Sequence, residues 1–280
     1  MRNQRTTRSI SRIALILALT IGALFAIGPV IWMISTSFKT GGDVFAYPPS
    51  VIPEVWTLDA YTAVLSDPGK LRFFLNSYIV SLSVVAITTL IAILAAYALS
   101  RHDFPFKKTF DSVILGIQAV PPITLLIPYF GLIVAFRLYD TYLALILTYV
   151  VFTVPYSIVM LTAYFNTVPR SLDEAVRIDG GGTWRTLWSV IVPIAGPGIV
   201  PVATYSFMIA WNEFLFALTL TKSRDMRTVP VGIQLLMGEH SYQWNEMMAM
   251  SVLGSIPVVI LFLFFQRQLV SGMTDGAVKA

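Results

Sequence analysis

Leu75–Leu99 reads LNSYIVSLSVVAITTLIAILAAYAL, twenty-five residues without a charge. At 1.5 Å of rise per residue, a helix of that length covers about 37 Å, more than the ~30 Å hydrocarbon core of a bilayer. The apolar residues arrive as a block, with neither the 3.6 nor the 2 period that would reserve one face for water. Such a segment can cross lipid as a helix, because a helix satisfies its own backbone polar groups.

Outward from this stretch, five more apolar blocks lie roughly at Ile13–Ile34, Asp111–Ile133, Thr141–Ala163, Gly198–Thr221 and Ser251–Val270. The whole chain is 56% hydrophobic and 12% charged, with mean hydropathy +0.74. Soluble domains carry about 25% charged residues, so there is too little charge here to coat a water-facing surface. The expected fold class is an all-α integral membrane protein of six transmembrane helices, forming a single domain over residues 1–280. Arg2, Arg5, Arg8 and Arg12 before the first block invite a signal-peptide reading. The block exceeds the ~7–15 residues of a signal h-region and no A-x-A-like site closes it, so an uncleaved helix is expected.

Net charge is +4 with pI near 9.3. No basic run is interleaved with aromatics on one polar face, so no nucleic-acid partner is expected. Basic residues instead indicate orientation. With the N-terminus inside, the inner segments hold twelve of the 19 Lys and Arg: Arg2, Arg5, Arg8, Arg12, Arg101, Lys107, Lys108, Arg170, Arg177, Arg185, Arg267 and Lys279. The outer segments hold Lys39, Lys70, Arg72, Arg137, Lys222, Arg224 and Arg227. This excess puts both termini on the cytoplasmic side of a multi-pass protein of the cell membrane. There is no cysteine, which removes disulfides, thiolate metal sites and a cysteine nucleophile. His102 and His240 lie in separate loops, and no metal site is expected on them.

Two outer segments are long. Ser35–Phe74 carries Tyr47, Pro48, Pro49, Pro53 and Trp56 and reads as extended, turn-rich and interfacial. Lys222–Met250 turns semi-apolar through Val229–Met237, where a short helix against the bundle is expected. The third span contains Gln118, Pro121, Pro122 and Pro128. Proline there breaks the helical ladder, either to line a translocation path or simply to fit the bundle.

The longest inner loop, Tyr164–Pro197, includes VPRSLDEAVRIDGGGTWRTLWSVIVPIAGP from Val168. Ser171 and Glu174 have the S-x-x-E form of a capping box, which predicts a helix start. Leu172, Ala175 and Val176 then make an apolar stripe opposite Asp173 and Arg177. Gly180, Gly181 and Gly182 end that helix in a positive-φ turn. A second amphipathic helix is expected with Trp184, Leu187, Trp188 and Ile191 on one face, stopped by Pro193. A helix–turn–helix knob projecting from the membrane suits docking into a groove of a soluble partner.

This loop resembles the EAA motif of ABC importer permeases, a pattern of E-A-A, two residues, D-G, and an I-x-L-P-like end. The matching positions are Glu174, Ala175, Val176, Asp179, Gly180 and Ile191–Val192–Pro193, with Val176 in place of the second alanine and IVP in place of LP. Asn76–Ser77, Ala96–Tyr97–Ala98, Pro121–Pro122, Trp211–Asn212–Glu213–Phe214 and the ending QRQLVSGMTDGAVKA look like the carbohydrate-type branch, most of all its maltose-permease G-like half. The resemblance implies the type I ABC importer permease fold, with 164–197 as the cytoplasmic coupling loop. It implies an ATPase-docking surface at Glu174, Ala175, Asp179 and Gly180. Glu174 also serves as a carboxylate near a helix N-terminus. The implied partners are a second homologous permease in a heterodimer, two ATP-binding subunits, an extracytoplasmic substrate-binding protein, membrane lipid and a sugar or related polyol or oligosaccharide. No cofactor is implied on this chain; ATP and Mg²⁺ belong to the partner ATPase.

Candidate pathway residues are Trp211, Asn212 and Glu213 in the fifth span and Tyr129 and Phe130 in the third. Sugar transport needs hydroxyl-satisfying amides and carboxylates beside flat aromatic surfaces. Glu213 also reads as a structural or gating group, since an ionisable side chain at membrane depth is usually turned inward or paired. Tyr129 and Phe130 also read as packing. No catalytic residue is expected. The chain lacks a P-loop, H-E-x-x-H and G-x-S-x-G, and the 180–182 glycines follow a helix rather than a strand. A secondary transporter would place several ionisable groups in its spans, whereas here Glu213 stands nearly alone.

Overall fold

The computed structural model describes the backbone of residues 2–238 and 243–277, and the side chains of 15–238 and 243–266. His240, Lys279, the side chains of Arg2, Arg5, Arg8, Arg12 and Arg267, and most of the ending after Gln266 lie outside the described residues. The regular structure within them is helical throughout.

Among the described residues, four helices are long and apolar enough to cross a membrane: α1 (Arg2–Ser37), α3 (Pro68–Arg101), α6 (Tyr142–Phe165) and α12 (Trp244–Ala277). Two bent pairs, each a broken span or a re-entrant segment, raise the number of candidate spans to as many as six if each pair is one span. In the first pair, α4 (Lys107–Gln118) and the segment Pro122–Ala135 meet at 90°; the latter opens with a 3₁₀ turn and continues as α5 (Leu126–Ala135). Pro121 and Pro122 sit at the break, where neither has an N–H to continue the ladder. In the second pair, α8 (Thr183–Ile194) meets α9 (Gly196–Asn212) at 81°. The shorter helices are α2 (Asp59–Leu65), α7 (Ser171–Ile178), α10 (Leu215–Leu220) and α11 (Val229–Leu235).

The chain divides into two compact units, Met1–Pro68 with Ile233–Ser255, and Gly69–Gly232 with Ile256–Ala280. In the first, residues 15–32 of α1 are exposed on every side. An apolar helix exposed all round is stable only against lipid or another apolar helix. The segment after it is less extended than Pro48, Pro49 and Pro53 suggested, because α2 and the first turns of α3 occupy its second half. Ser37 Oγ and Tyr61 Oη share a 2.7 Å hydrogen bond, and Phe38 packs its ring 5.5 Å from Trp56 and 5.1 Å from Tyr61. Lys39 is buried at 1% exposure. Its ammonium donates to the Ser50 carbonyl at 2.6 Å and sits 4.6 Å over the Trp32 ring.

In the second unit, α3 buries a stripe through Asn76, Val80, Val84, Thr88, Ala92 and Ala96, which at four-residue steps winds gradually around the helix. Small residues on that stripe let α6 approach closely, and Thr88 and Thr153 share a 2.8 Å bond between hydroxyls. Thr141 caps α6 by accepting the Ala144 N–H. Gly198 brings α9 against α6, where a Cβ would run into the Tyr164 ring. The expected short helix after Val229 is α11, with Gly232 pressed on the Phe73 ring.

Candidate functional site

The loop between α6 and α9 is built from α7, a glycine turn and α8. α7 begins at Ser171, but no capping box forms. Arg170 is the N-cap and has helical backbone angles; its carbonyl accepts from both Asp173 and Glu174. Ser171 is therefore already inside the first turn, one position too late for its hydroxyl to act as a cap. Asp173 and Glu174 still favour that turn through the helix dipole.

The faces of α7 also differ from the expected stripe. Asp173 is the buried residue and Ala175 is exposed, while Leu172 and Val176 are half-buried. The reason is an ion pair: Arg101 Nε at the end of α3 lies 3.1 Å from Asp173 Oδ2. Tyr97 Oη donates to Asp173 Oδ1 at 3.2 Å. Arg101 also donates to the carbonyls of Phe165 (3.2 Å) and Val168 (3.0 Å), and Arg170 donates to the Ser100 carbonyl at 3.1 Å. A buried charge costs several kcal/mol unless paired and hydrogen-bonded, roughly, and here every formal charge in the cluster has partners. Sequence reasoning missed this anchor, having counted Arg101 and Arg170 only as topology signals.

The helix ends in a Schellman turn. Gly181 N–H reaches the Val176 carbonyl at 2.7 Å and Gly180 N–H the Arg177 carbonyl at 3.0 Å. Gly180 has φ +75°, and a Cβ on Gly181 would collide with the Val176 side chain. The two glycines therefore do different jobs, one conformational and one steric. Beyond them α8 contains a π turn over Leu187–Ile191. Leu187 and Ile191 are buried, whereas Trp184 and Trp188 are 66% and 41% exposed, so the four expected on one face divide between two. Pro193 does not stop the helix. It follows the π turn, where the widened ladder tolerates a missing N–H, and the bend comes at Ala195.

The outward residues of the knob include Glu174, Ala175, Arg177, Ile178, Asp179 and Gly180 at and after α7. All four sequence-expected docking residues are in this set. Ile178, 86% exposed, was not singled out, although a large aliphatic residue left bare between charged neighbours marks an interaction surface.

The pathway candidates separate into two neighbourhoods. α9 ends at Asn212, Glu213 is extended at ψ 127°, and α10 restarts at Leu215. The Glu213 carboxylate accepts the N–H groups of Phe216 and Ala217, both at 2.9 Å, and the Tyr149 hydroxyl at 2.7 Å. It thus caps α10 and ties it to α6. Tyr129 lies edge-on to Phe216 at 6.1 Å, and Phe130 edge-on to Tyr139 at 5.6 Å. Trp211 is buried elsewhere, stacked on Phe207 at 5.3 Å and tilted 4.8 Å from Tyr78. Tyr78 and Phe207 in turn line an apolar cleft of about 370 Å³ with Leu82 and Ile260. Asn212 is exposed, its amide donating to Met208 of its own helix.

At the other end of α3, Asn76 donates to the carbonyls of Asp225 and Arg227, each at 2.7 Å, and accepts from the Tyr142 hydroxyl at 2.7 Å. Ser77 Oγ accepts the Val229 N–H at 2.9 Å. Asp140 accepts the N–H groups of Lys222 and Ser223 at 2.8 and 3.1 Å. Burial pushes the Asp140 carboxyl up, but these two N–H groups and the nearby Arg227 charge outweigh it and leave the pKa below its ordinary value. These bonds fix segment 221–229 in place.

Against known proteins, residues 88–275 match the family model for the binding-protein-dependent transport system inner membrane component. The chain is 39% identical over 251 residues to the sulfoquinovosyl glycerol transport system permease protein SmoH of Agrobacterium fabrum, covering 90% of this chain and 88% of that one. It is 40% identical over 274 residues to the trehalose/maltose transport system permease protein MalG of Thermococcus litoralis, covering 96% and 98%. The fold matches a chain from the crystal structure of a bacterial ABC transporter involved in the import of the acidic polysaccharide alginate. The TM-score is 0.81 at 24% identity, over 92% of this chain and 96% of that one.

Proposed function

The chain belongs to the binding-protein-dependent transport system inner membrane component family, and from that premise we propose that it forms half of the translocation pathway of an ATP-driven importer for a sugar or a related polyol or oligosaccharide. A second, homologous permease supplies the other half, an extracytoplasmic binding protein delivers the substrate, and two ATP-binding subunits hold ATP and Mg²⁺ and supply the hydrolysis. Both termini and the 164–197 loop are cytoplasmic in this reading. The names of the SmoH and MalG relatives support the carbohydrate class.

The observation that carries the docking assignment is the two-sided build of α7. Asp173 is held down by Arg101 and Tyr97, while Glu174, Ala175, Ile178, Asp179 and Gly180 face outward. A short helix gains a rigid presentation from such anchoring, and rigid sites bind with less ordering cost. Glu213 and Tyr129 support the shape of the pathway by fixing α10 against α6, Phe130 supports it by packing α5 on Tyr139, and Trp211 and Asn212 stand as pathway residues.

The test is co-purification in mild detergent of the tagged chain with its second permease and the ATP-binding protein. Co-elution from the wild-type complex and its loss in Glu174→Lys are expected. A chain that elutes free of any ATPase under conditions that preserve uptake would overturn the reading.

A further inference from the structure

α3 differs from the other candidate spans in one respect. α1, α6, α9 and α12 carry Pro29, Pro155, Pro201 and Pro257 inside their helices, and the α4–α5 and α8–α9 pairs are bent by 90° and 81°. α3 has neither proline nor glycine from Lys70 to Arg101. An interior proline deletes one bond of the ladder and makes a hinge; a ladder without one moves as a rod.

Both ends of that rod are held by side chains to segments distant in sequence. At one end Arg101, Tyr97 and Ser100 hold Asp173, Arg170 and the carbonyls of Phe165 and Val168. At the other, twenty-five residues and about 37 Å away along the axis, Asn76 and Ser77 hold Asp225, Arg227 and Val229. Surface ion pairs contribute little, but these groups are buried: Arg101 and Asp173 side chains are 6% and 12% exposed, and Asn76 is fully enclosed.

We propose that Arg101 and Asp173 are positioning residues that make the docking helix α7 and α3 move as one body, so that α3 carries displacement of α7 lengthwise to segment 222–229. The proposal rests on the docking function of α7. In this scheme the ATPase grips the outward face of α7, and the Asp173 anchor converts that grip into movement of the span. Asn76 delivers the movement at the far end. Docking and coupling therefore reside on opposite faces of the same two-turn helix. The rod is the physical carrier between the two sites that coupling requires.

The experiment uses the complete importer in liposomes: this chain, its second permease, the ATP-binding subunits and the binding protein. ATP hydrolysis, uptake and retained ATPase are measured on Asp173→Asn, Asp173→Glu, Asn76→Ala and the double variant Asp173→Asn with Asn76→Ala. Asp173→Asn should keep the ATPase bound and hydrolysing, while uptake per ATP falls about fivefold or more. Asp173→Glu should recover much of it. Asn76→Ala should show the same uncoupling, and the double variant should be no worse than the poorer single one, because the two contacts act in series. Unchanged uptake per ATP in Asp173→Asn, loss of uptake only in step with loss of bound ATPase, or losses that multiply in the double variant would each overturn it. The chain's lack of cysteine provides a readout that leaves the anchor intact. Lys222→Cys should react with a membrane-impermeant maleimide at an ATP-dependent rate, and an ATP-independent rate would also overturn the proposal. Failure of the docking reading is separately visible, as a wild-type complex that retains no ATPase.

Discussion

Tyr149, buried on α6, donates its hydroxyl to Glu213 at 2.7 Å, at the point where α9 breaks and α10 begins. The same carboxylate accepts two N–H groups of the first turn of α10. Tyr149→Phe removes one of three bonds, Glu213→Ala all three. Hydrogen bonds to a charged group contribute about 1.5–3 kcal/mol in water-soluble proteins, and cross-helix bonds in membranes average nearer 0.6. Tyr149→Phe should therefore cost about 1 kcal/mol and Glu213→Ala clearly more. Thermal unfolding in detergent checks this order; equal midpoints for the two variants would show that Glu213 is not the cap.

The two glycines of the turn after α7, where docking is proposed, should fail differently. Gly180→Ala forces an L side chain to φ +75°, at a cost of about 1 kcal/mol with open space around it. Gly181→Ala meets Val176 and must push α7 or α8 aside. Overpacking of this kind costs about 1–3 kcal/mol. A bulky residue at Gly180, such as valine, should also block the docking face while leaving membrane insertion intact. ATPase pull-down and insertion, measured on the same samples, separate the two effects.

Gly198 faces the Tyr164 ring where α9 crosses α6. Gly198→Val should destabilise the detergent-solubilised protein by about 1–3 kcal/mol, because neither helix backbone can retreat without opening the shared core. Tyr164→Ala in the same chain should restore part of the loss, as a double-mutant cycle on melting temperature would report.

Asp140 links the loop after α5 to the one after α10, and its carboxyl pKa is lower in the folded chain than the ordinary aspartate value. A depressed folded pKa means that the stabilisation is present at neutral pH and above the unfolded pKa. It is lost as pH falls from there through the folded value. Melting temperature measured across acid pH should therefore fall in wild type over that window. Asp140→Asn should begin lower at neutral pH and lose this component of the acid dependence.

Much of the fold was legible because lipid imposes a simple requirement. Twenty apolar residues in a block leave a helix as the solution, and the resemblance at Glu174–Gly180 directs attention to the loop after α6. The less legible parts are those where a polar residue is satisfied by a partner distant in sequence. Asp173 reads as solvent-facing until Arg101, seventy-two positions earlier, is folded against it. Glu213 reads both as a pathway carboxylate and as a structural or gating group, and its partners Tyr149, Phe216 and Ala217 emerge only with the α9 break. The modest excess of inward basic residues has the same origin. Lys39, Arg72 and Arg227, all assigned outward, bind the Ser50 carbonyl, the Tyr142 hydroxyl and the Leu218 carbonyl. They serve structure rather than topology. Pro193 misled because sequence does not announce the π turn that accommodates it.

The most direct measurement is uptake of a labelled sugar by liposomes holding this chain with its second permease, ATP-binding subunits and binding protein. Uptake should require ATP and every one of those components, and should collapse with Glu174→Lys. Uptake by this chain alone, driven by an ion gradient and indifferent to ATP, would contradict the account.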